Sequence, residues 1–194
     1  MWCIWTELKS GTWERIYVSS SADGITWAAP TLIFDIAHAA ADKLMSPSVL
    51  WDGAQFLMYV CDFKLVPHVI NRFVCATMDG VWAADAAPTV LFANPEPITS
   101  KKHVDVILYG GVYYMIYMDV DSGINAGLYF GSSADGITFT LDPNFRLPAQ
   151  VGVWDYLPYR ASLVADATGF DIYYSGFDVV GTTAKISKTR YNLP

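Results

Sequence analysis

A short segment built around Asp-Gly recurs along the chain, and it constrains the fold more than any other feature. Residues 20–27 read Ser-Ser-Ala-Asp-Gly-Ile-Thr-Trp, and residues 132–139 repeat them with Phe at the end. A weaker copy, Ala-Thr-Met-Asp-Gly-Val-Trp, spans residues 76–82. Asp and Gly tolerate the backbone angles of a tight turn, so each copy predicts a β-hairpin, whose following aromatic ring we expect to pack between neighbouring sheets.

A second repeat and a set of paired apolar runs accompany these segments. Residues 28–34, Ala-Ala-Pro-Thr-Leu-Ile-Phe, match residues 86–92, Ala-Ala-Pro-Thr-Val-Leu-Phe. Two strand-like runs precede each of two predicted hairpins, and a third pair lies near the C-terminal end: 46–53 with 55–60, 103–110 with 112–117, and 160–166 with 170–174. Repeats that return in one order indicate a tandem architecture.

The repeat predicts an all-β fold, a β-propeller of four-stranded antiparallel blades. We label the strands of a blade A to D from the central channel outward, so that the paired runs are A and B and the Asp-Gly hairpin joins C to D. A unit of roughly 45 to 50 residues is the size of a propeller blade. The phase predicts a single domain of about four blades, at residues 1–44, 45–99, 100–157 and 158–194, with the first lacking its A strand and the last its D strand.

The composition excludes several classes of partner. Hydrophobic residues make up 53% of the chain and charged residues only 16%, which is typical of a compact body and not of a disordered one. The net charge of −7, with few Lys or Arg, argues against nucleic acid. No apolar run approaches the roughly 20 residues that span a bilayer, and the first residues do not read as a signal peptide, so we expect no membrane partner.

The metal ligands that proteins commonly use are sparse and scattered. The three His and the three Cys residues show no ligand spacing, so we predict no metal site, no cofactor, and free thiols for the cysteines.

The Ser-x-Asp-Gly-x-Thr-Trp segment resembles the blade signature of glycoside hydrolases of the arabinanase and β-xylosidase group, family 43, and their relatives. These are five-bladed propellers, so the resemblance implies a partial propeller of that type. In the family, successive A strands carry a catalytic-base Asp, a Trp-Ala-Pro segment, an Ile-Asp-Pro segment and a Glu-Gly-Pro segment. Ser46-Pro47-Ser48 is similar to the second of these segments and His103-Val104-Asp105 to the third.

The resemblance implies a role for Asp105. It would lie at the channel mouth as the carboxylate that orients the sugar and modulates the catalytic acid. The two other visible A strands carry Ser48 and Ser162 at that position. The strand with the family's base would precede Met1, and Tyr159-Arg160-Ala161 stands where the family has Glu-Gly-Pro.

Three further acids are candidates for a catalytic pair with Asp105. Glu7, Asp62 and Asp119 each follow a predicted B strand, at an end where loops gather around a propeller channel. If they converge with Asp105, they supply the second carboxylate that acid–base catalysis needs. The alternative is that they are solvated acids at strand ends.

The candidates for substrate binding are cationic and aromatic. His103 and Arg160 occupy equivalent A-strand positions and are placed to bind sugar hydroxyls or a carboxylated sugar; alternatively, Arg160 neutralises Asp105 and holds two blades together. The rings proposed to stack on a sugar face are those of Trp51, Trp154, Tyr156 and Tyr159.

Two functions remain open from the sequence. The first is a glycosidase-like propeller that acts on or binds polysaccharide, completed as a hydrolase by other residues or chains. The second is a noncatalytic structural or glycan-binding assembly protein, such as a virion or surface component, in which a homo-oligomer or partner chain completes the open blade edges.

Overall fold

The structure, a computed structural model, describes residues 1–9, 13–37, 44–62, 67–93, 101–119, 126–148, 157–178 and 184–193. These residues form fifteen β-strands in four sheets and contain no helix. The predicted all-β class is therefore confirmed. No helix long and apolar enough to cross a membrane occurs within the described ranges.

Strands that are neighbours in a sheet also follow one another along the chain, except where β8 pairs with β12. The first sheet consists of β1 (Trp2–Lys9), β2 (Trp13–Ser20) and β3 (Thr31–Ala37). The second consists of β4 (Leu44–Trp51), β5 (Phe56–Asp62), β6 (Val69–Cys75) and β7 (Ala83–Thr89). The third consists of β9 (Lys101–Tyr109), β10 (Val112–Asp119), β11 (Gly127–Ser133) and β12 (Thr138–Pro148), with the short β8 (Leu91–Phe92) parallel to β12. The fourth consists of β13 (Leu157–Asp166), β14 (Gly169–Phe177) and β15 (Ala184–Asn192).

The sheets pack face to face in chain order, because their central strands are apolar on both faces. In β5, Leu57 and Tyr59 face the third sheet while Met58 and Val60 face the first, and all four are buried. In β10, Met115 and Tyr117 face the second sheet, whereas its next residues Ile116 and Met118 face the fourth. Side chains of a strand alternate between faces, so one strand contributes to two hydrophobic cores. Three such cores join the four sheets.

The loops that carry Asp-Gly owe their shape to their own side chains. Asp23 Oδ1 accepts hydrogen bonds of 2.8 Å from the backbone N–H groups of Ile25 and Thr26. Ser21 Oγ accepts a further bond from Gly24 N. The loop at Asp135 repeats the same bonds with Ser133 as the serine. These bonds account for the near identity of the two segments, since each residue stabilises the turn.

The loop at Asp135 also binds the preceding sheet. The hydroxyl of Tyr59 donates to the carbonyl of Gly136 at 2.8 Å, and Arg72 donates to the carbonyl of Asp135 at 3.1 Å. Arg72 is in turn held by Asp85 at 2.6 Å, with both side chains largely buried. Two sheets are thereby locked together at the loop.

The aromatic residue after Asp-Gly behaves as expected in two of the three copies. Trp82 and Phe139 are 6% and 0% exposed, each in the core against the preceding sheet. Trp27 is 40% exposed, so the expectation is wrong for the first copy. The reason is that no described sheet packs on that side of the first sheet. Cys61 and Cys75 are buried free thiols, and Cys3 is free and exposed.

The four sheets follow the order of the predicted blades. The blade limits after residues 44, 99 and 157 stay a prediction.

Candidate functional site

The innermost strands of three sheets are irregular at the same position. In β4, β9 and β13 the pairing register shifts next to Ser46, His103 and Arg160 respectively. Ser46 has a φ of 58° and His103 a φ of 49°, values that residues other than glycine rarely adopt. A bulge redirects a side chain out of the normal alternation, and non-glycine residues in this region are common at functional sites. All three residues lie on the wall of one cavity.

We call this cavity the axial cavity. Its volume is about 380 Å³, and its described wall comes from β1, β4, β9 and β13. The innermost strands contribute the bulged residues together with Asp105 and Ser162, and β1 contributes Ile4, Trp5 and Thr6. The Trp5 ring stacks on Tyr17 at 5.7 Å between centroids. The cavity therefore combines an aromatic surface with charged and hydroxyl groups, the usual make-up of a small-molecule site.

Asp105, two residues after the bulged His103 on β9, joins three sheets. Its Oδ1 accepts a 2.9 Å hydrogen bond from Ser48 on β4. Its Oδ2 accepts bonds from Leu163 N at 2.8 Å and from Ser162 Oγ at 3.2 Å on β13. Ser48, Asp105 and Ser162 are spaced 57 residues apart, so the repeat itself brings them together. The Asp105 carboxylate thus serves as a bond between sheets as well as part of the cavity wall.

His103 is a buried imidazole at the cavity. Its ring contacts the Tyr159 ring at 4.4 Å between centroids, and its Nδ1 hydrogen-bonds Ser46 Oγ. Burial, followed by the nearby charges of Arg160 and Lys102, lowers the pKa of His103 to about 3, so the ring is neutral at pH 7. Its Nε2 is buried and has no hydrogen-bond partner within the described residues. Either tautomer therefore leaves Nε2 with an unused donor or acceptor.

Arg160 places an exposed cation on the same wall. Its backbone N–H donates to Ser175 Oγ at 3.3 Å. No ion pair joins its guanidinium to Asp105 or to any other described residue, in contrast to Arg72 and Arg190. The alternative in which Arg160 neutralises Asp105 is therefore not the arrangement observed.

The structure does not bring the other predicted acids to the described cavity wall. Glu7 is exposed on β1 and pairs in register with Arg15. Asp62, at the end of β5, accepts a 3.1 Å hydrogen bond from Asn71 Nδ2. Asp119 is fully buried at the end of β10, where it pairs in register with Lys101. Asp105 is the carboxylate that lines the axial cavity among the residues described.

The aromatic residues predicted to stack on a sugar do not lie on the described wall of the axial cavity. Trp51 is at the far end of β4 from Ser46, roughly 16 Å away at 3.3 Å per residue, and its ring packs on Phe56. Tyr159 lies behind His103, between that ring and Phe177. Trp154 and Tyr156 lie outside the described residues.

Sequence reasoning missed several residues of the wall. Ser46 lies 57 residues before His103, a spacing that would have revealed it. Trp5 and Thr6 carry no such signal, because β1 is a predicted B strand and its counterparts β5 and β10 do not line the described cavity wall.

The fold is shared with solved structures of carbohydrate-active proteins. An N-acetylgalactosamine deacetylase from F. plautii, in complex with blood group B trisaccharide, matches 95% of this chain with a TM-score of 0.69 and 15% sequence identity. A thermostable family-43 glycoside hydrolase matches 100% of the chain with a TM-score of 0.69 and 13% identity. The β-1,2-mannobiose phosphorylase from Listeria innocua matches 93% with a TM-score of 0.65 and 15% identity. The chain has the fold of the β-propeller glycoside hydrolases.

The likeness is one of fold and not of sequence. No protein-family model matches the chain, and no curated protein matches its sequence. The chain spans 65% of the deacetylase, 70% of the family-43 hydrolase and 50% of the phosphorylase.

Proposed function

We propose that this chain binds saccharides in the axial cavity of a propeller of the glycoside hydrolase type. The observation that carries the proposal is the convergence of the bulged residues Ser46, His103 and Arg160 on one cavity. Bulges are over-represented next to active sites, and here the 57-residue repeat brings three of them to the wall of one cavity.

The chemistry of the wall suits a sugar. Trp5 offers an aromatic face to the apolar side of a pyranose or furanose ring, and its indole ring is already oriented by stacking on Tyr17. The polar groups of His103, Thr6 and Arg160 are placed to bind hydroxyl groups at the ring edge. A saccharide needs both kinds of contact in one cavity.

Binding is better supported than hydrolysis by the residues described. Cleavage of a glycosidic bond uses two carboxyl groups on opposite sides of the bond, about 5 to 9.5 Å apart. Asp105 is the one carboxylate on the described wall, and two neighbouring sheets already occupy its oxygens. Turnover would require a second acid from outside the described residues.

Calorimetry and a glycan array test the proposal with one matched pair of variants. Trp5→Ala should weaken saccharide binding by about two- to tenfold, the value of one aromatic contact. Trp2→Ala is the control, because Trp2 lies on the same strand, is more exposed to solvent than Trp5 and does not line the cavity. Equal effects of the two substitutions, or an array on which no saccharide binds, would overturn the proposal.

A hydrolysis assay on arabinan, xylan and nitrophenyl glycosides tests catalysis separately. Release of reducing sugar that Asp105→Asn abolishes, in a variant that still folds, would make the chain a hydrolase.

We also propose self-association through the outer face of the first sheet, and Trp27 is the observation that favours it. Trp82 and Phe139 are the counterparts of Trp27, and each is buried against the sheet that precedes its own along the chain. A sheet from a second copy would give Trp27 the same kind of surface. Light scattering should give a defined oligomer that Trp27→Ser dissociates. Val81→Ser, at an apolar residue in the second loop that is more exposed than Trp27, should not. A monomer at all concentrations contradicts this second proposal.

A further inference from the structure

The axial cavity carries a positive charge that the described protein does not neutralise. Arg160 is exposed on the wall and forms no ion pair within the described residues. Two other arginines, whose side chains are partly exposed, are paired: Arg15 with Asp35 at 3.2 Å, and Arg190 with Asp166 at 2.7 Å. Acids outnumber bases in this chain of net charge −7, yet Arg160, unlike those two arginines, has no described acid as a partner.

The carboxylate on the same wall, that of Asp105, is already hydrogen-bonded to the two neighbouring strands. Asp105 accepts three hydrogen bonds, from Ser48, Ser162 and the backbone of Leu163. These bonds hold the carboxylate towards the strands on either side of β9. Two residues of opposite charge on one wall therefore do not form a pair, and no described residue accepts a hydrogen bond from the five N–H donors of the guanidinium.

Two neutral groups on the same wall as Arg160 have unused hydrogen-bonding capacity. His103 is 4% exposed and its Nε2 has no partner among the described residues. Thr6 Oγ1, on the opposite strand β1, is also buried without a partner in the described structure. Burial, and after it the charges of Arg160 and Lys102, lowers the pKa of that imidazole, so the ring is neutral and Arg160 has no paired counter-charge among the described residues. A ligand anion would supply that charge.

From this arrangement we propose that the saccharide bound in the axial cavity is acidic, with a carboxylate that pairs with Arg160 and hydroxyl groups that reach His103 and Thr6. The inference rests on the proposed saccharide binding and adds the class of sugar. A carboxylate is favoured over a sulfate ester because its planar pair of oxygens matches two parallel N–H groups of a guanidinium.

Matched pairs of sugars test this inference. Calorimetry would compare oligosaccharides of galacturonic, glucuronic and mannuronic acid with the neutral oligosaccharides of galactose, glucose and mannose, and a sulfated galactan oligosaccharide would form a third arm. At least one uronate should bind about tenfold or more tightly than its neutral counterpart, and the preference should shrink as salt is raised. A preference for the sulfated arm would overturn the assignment of a carboxylate.

Arg160→Gln tests whether this residue carries the preference. The substitution removes the charge and keeps a polar side chain of similar reach, so uronate binding should fall by about tenfold or more while any binding of the neutral sugar changes less than about twofold. Lys185→Gln, at an exposed lysine on β15 outside the cavity wall, removes the same charge from the protein and should leave both affinities unchanged.

The outcomes separate the inference from the proposed function. Binding of neutral saccharides alone, or uronate binding that Arg160→Gln leaves intact, overturns the acidic sugar and keeps saccharide binding. Absence of binding by every saccharide overturns both.

Discussion

The backbone N–H of Leu163 donates a 2.8 Å hydrogen bond to the carboxylate of Asp105 on the adjacent sheet. A side chain of one innermost strand thus binds the main chain of the next. Together with the bond from Ser48, it makes Asp105 a link between three of the four sheets.

Replacement of Asp105 tests this link. Asp105→Asn keeps one acceptor and turns the other into a donor, which then faces donors, so the free energy of unfolding should fall by about 1 to 3 kcal/mol. Urea denaturation measures the change. Asp35→Asn is the control, because Asp35 forms an exposed ion pair with Arg15 and should cost less than about 1 kcal/mol. Equal losses in the two variants would mean that Asp105 does not join the sheets.

Gly136 is predicted to be irreplaceable for a reason beyond its backbone angle. Its φ is +69°, and a Cβ there would lie 2.7 Å from the Tyr59 hydroxyl oxygen. Gly110 has a φ of +60° with no atom within 4 Å of its Cβ position, so Gly110→Ala isolates the backbone cost of about 1 to 2 kcal/mol. Gly136→Ala should cost a further 1 to 3 kcal/mol, roughly the cost of overpacking. Similar thermal unfolding midpoints for the two variants would contradict the close packing of this loop.

Removal of Asp85 should expose the cost of a buried charge. Arg72 and Asp85 have side chains only 9% and 14% exposed, and Arg72 also donates to the carbonyl of Asp135. Asp85→Ala leaves the guanidinium buried without its acid and should lower the free energy of unfolding by about 3 to 5 kcal/mol. The double variant Arg72→Met with Asp85→Ala should recover part of that loss in denaturant titrations. A double variant less stable than Asp85→Ala would show that the charge itself is not the penalty.

The loop at Asp23 should make stability depend on pH in the acid range. Backbone hydrogen bonds from Thr26 and Ile25 lower the pKa of Asp23 to about 2, from 3.8 in an unfolded chain. Because the folded state favours the ionised form, the loop contributes stability above about pH 4 that is lost as the pH falls towards 2. Carboxyl NMR titration should give the midpoint directly. The gap in melting temperature between wild type and Asp23→Asn should shrink over the same range, and a gap that stays constant would contradict the assignment.

Much of the fold was predictable because its causes are local. The Asp-Gly loops are stabilised by side chains within four residues of one another, so their repetition in sequence is a repetition of structure. The paired apolar runs became strands that alternate between two cores. The exposed Trp27 was not predictable, since burial depends on which sheet lies opposite and not on the residue's own repeat.

The candidate site was predictable only where the repeat reaches it. His103 and Arg160 stand at equivalent positions of innermost strands, Asp105 follows His103 by two residues, and the structure brings all three to the axial cavity. Glu7, Asp62 and Asp119 share a position after a B strand. In the second and third sheets an A strand lies between that position and the cavity, and on β1 the described wall includes Thr6 but not Glu7. Trp51 was chosen for its chemistry alone and lies at the other end of its strand.

The sequence by itself determined the all-β repeat, the order of the strands and the residues that occupy equivalent positions in successive sheets, because these follow from turn chemistry and alternation along the chain. Only the tertiary structure decided what those positions do. Two neighbouring sheets occupy the oxygens of Asp105, no described acid pairs with Arg160, and β1 supplies Trp5 and Thr6 to the cavity. Those outcomes depend on which strands meet around the axis, and contacts between distant segments carry no signature in the local sequence.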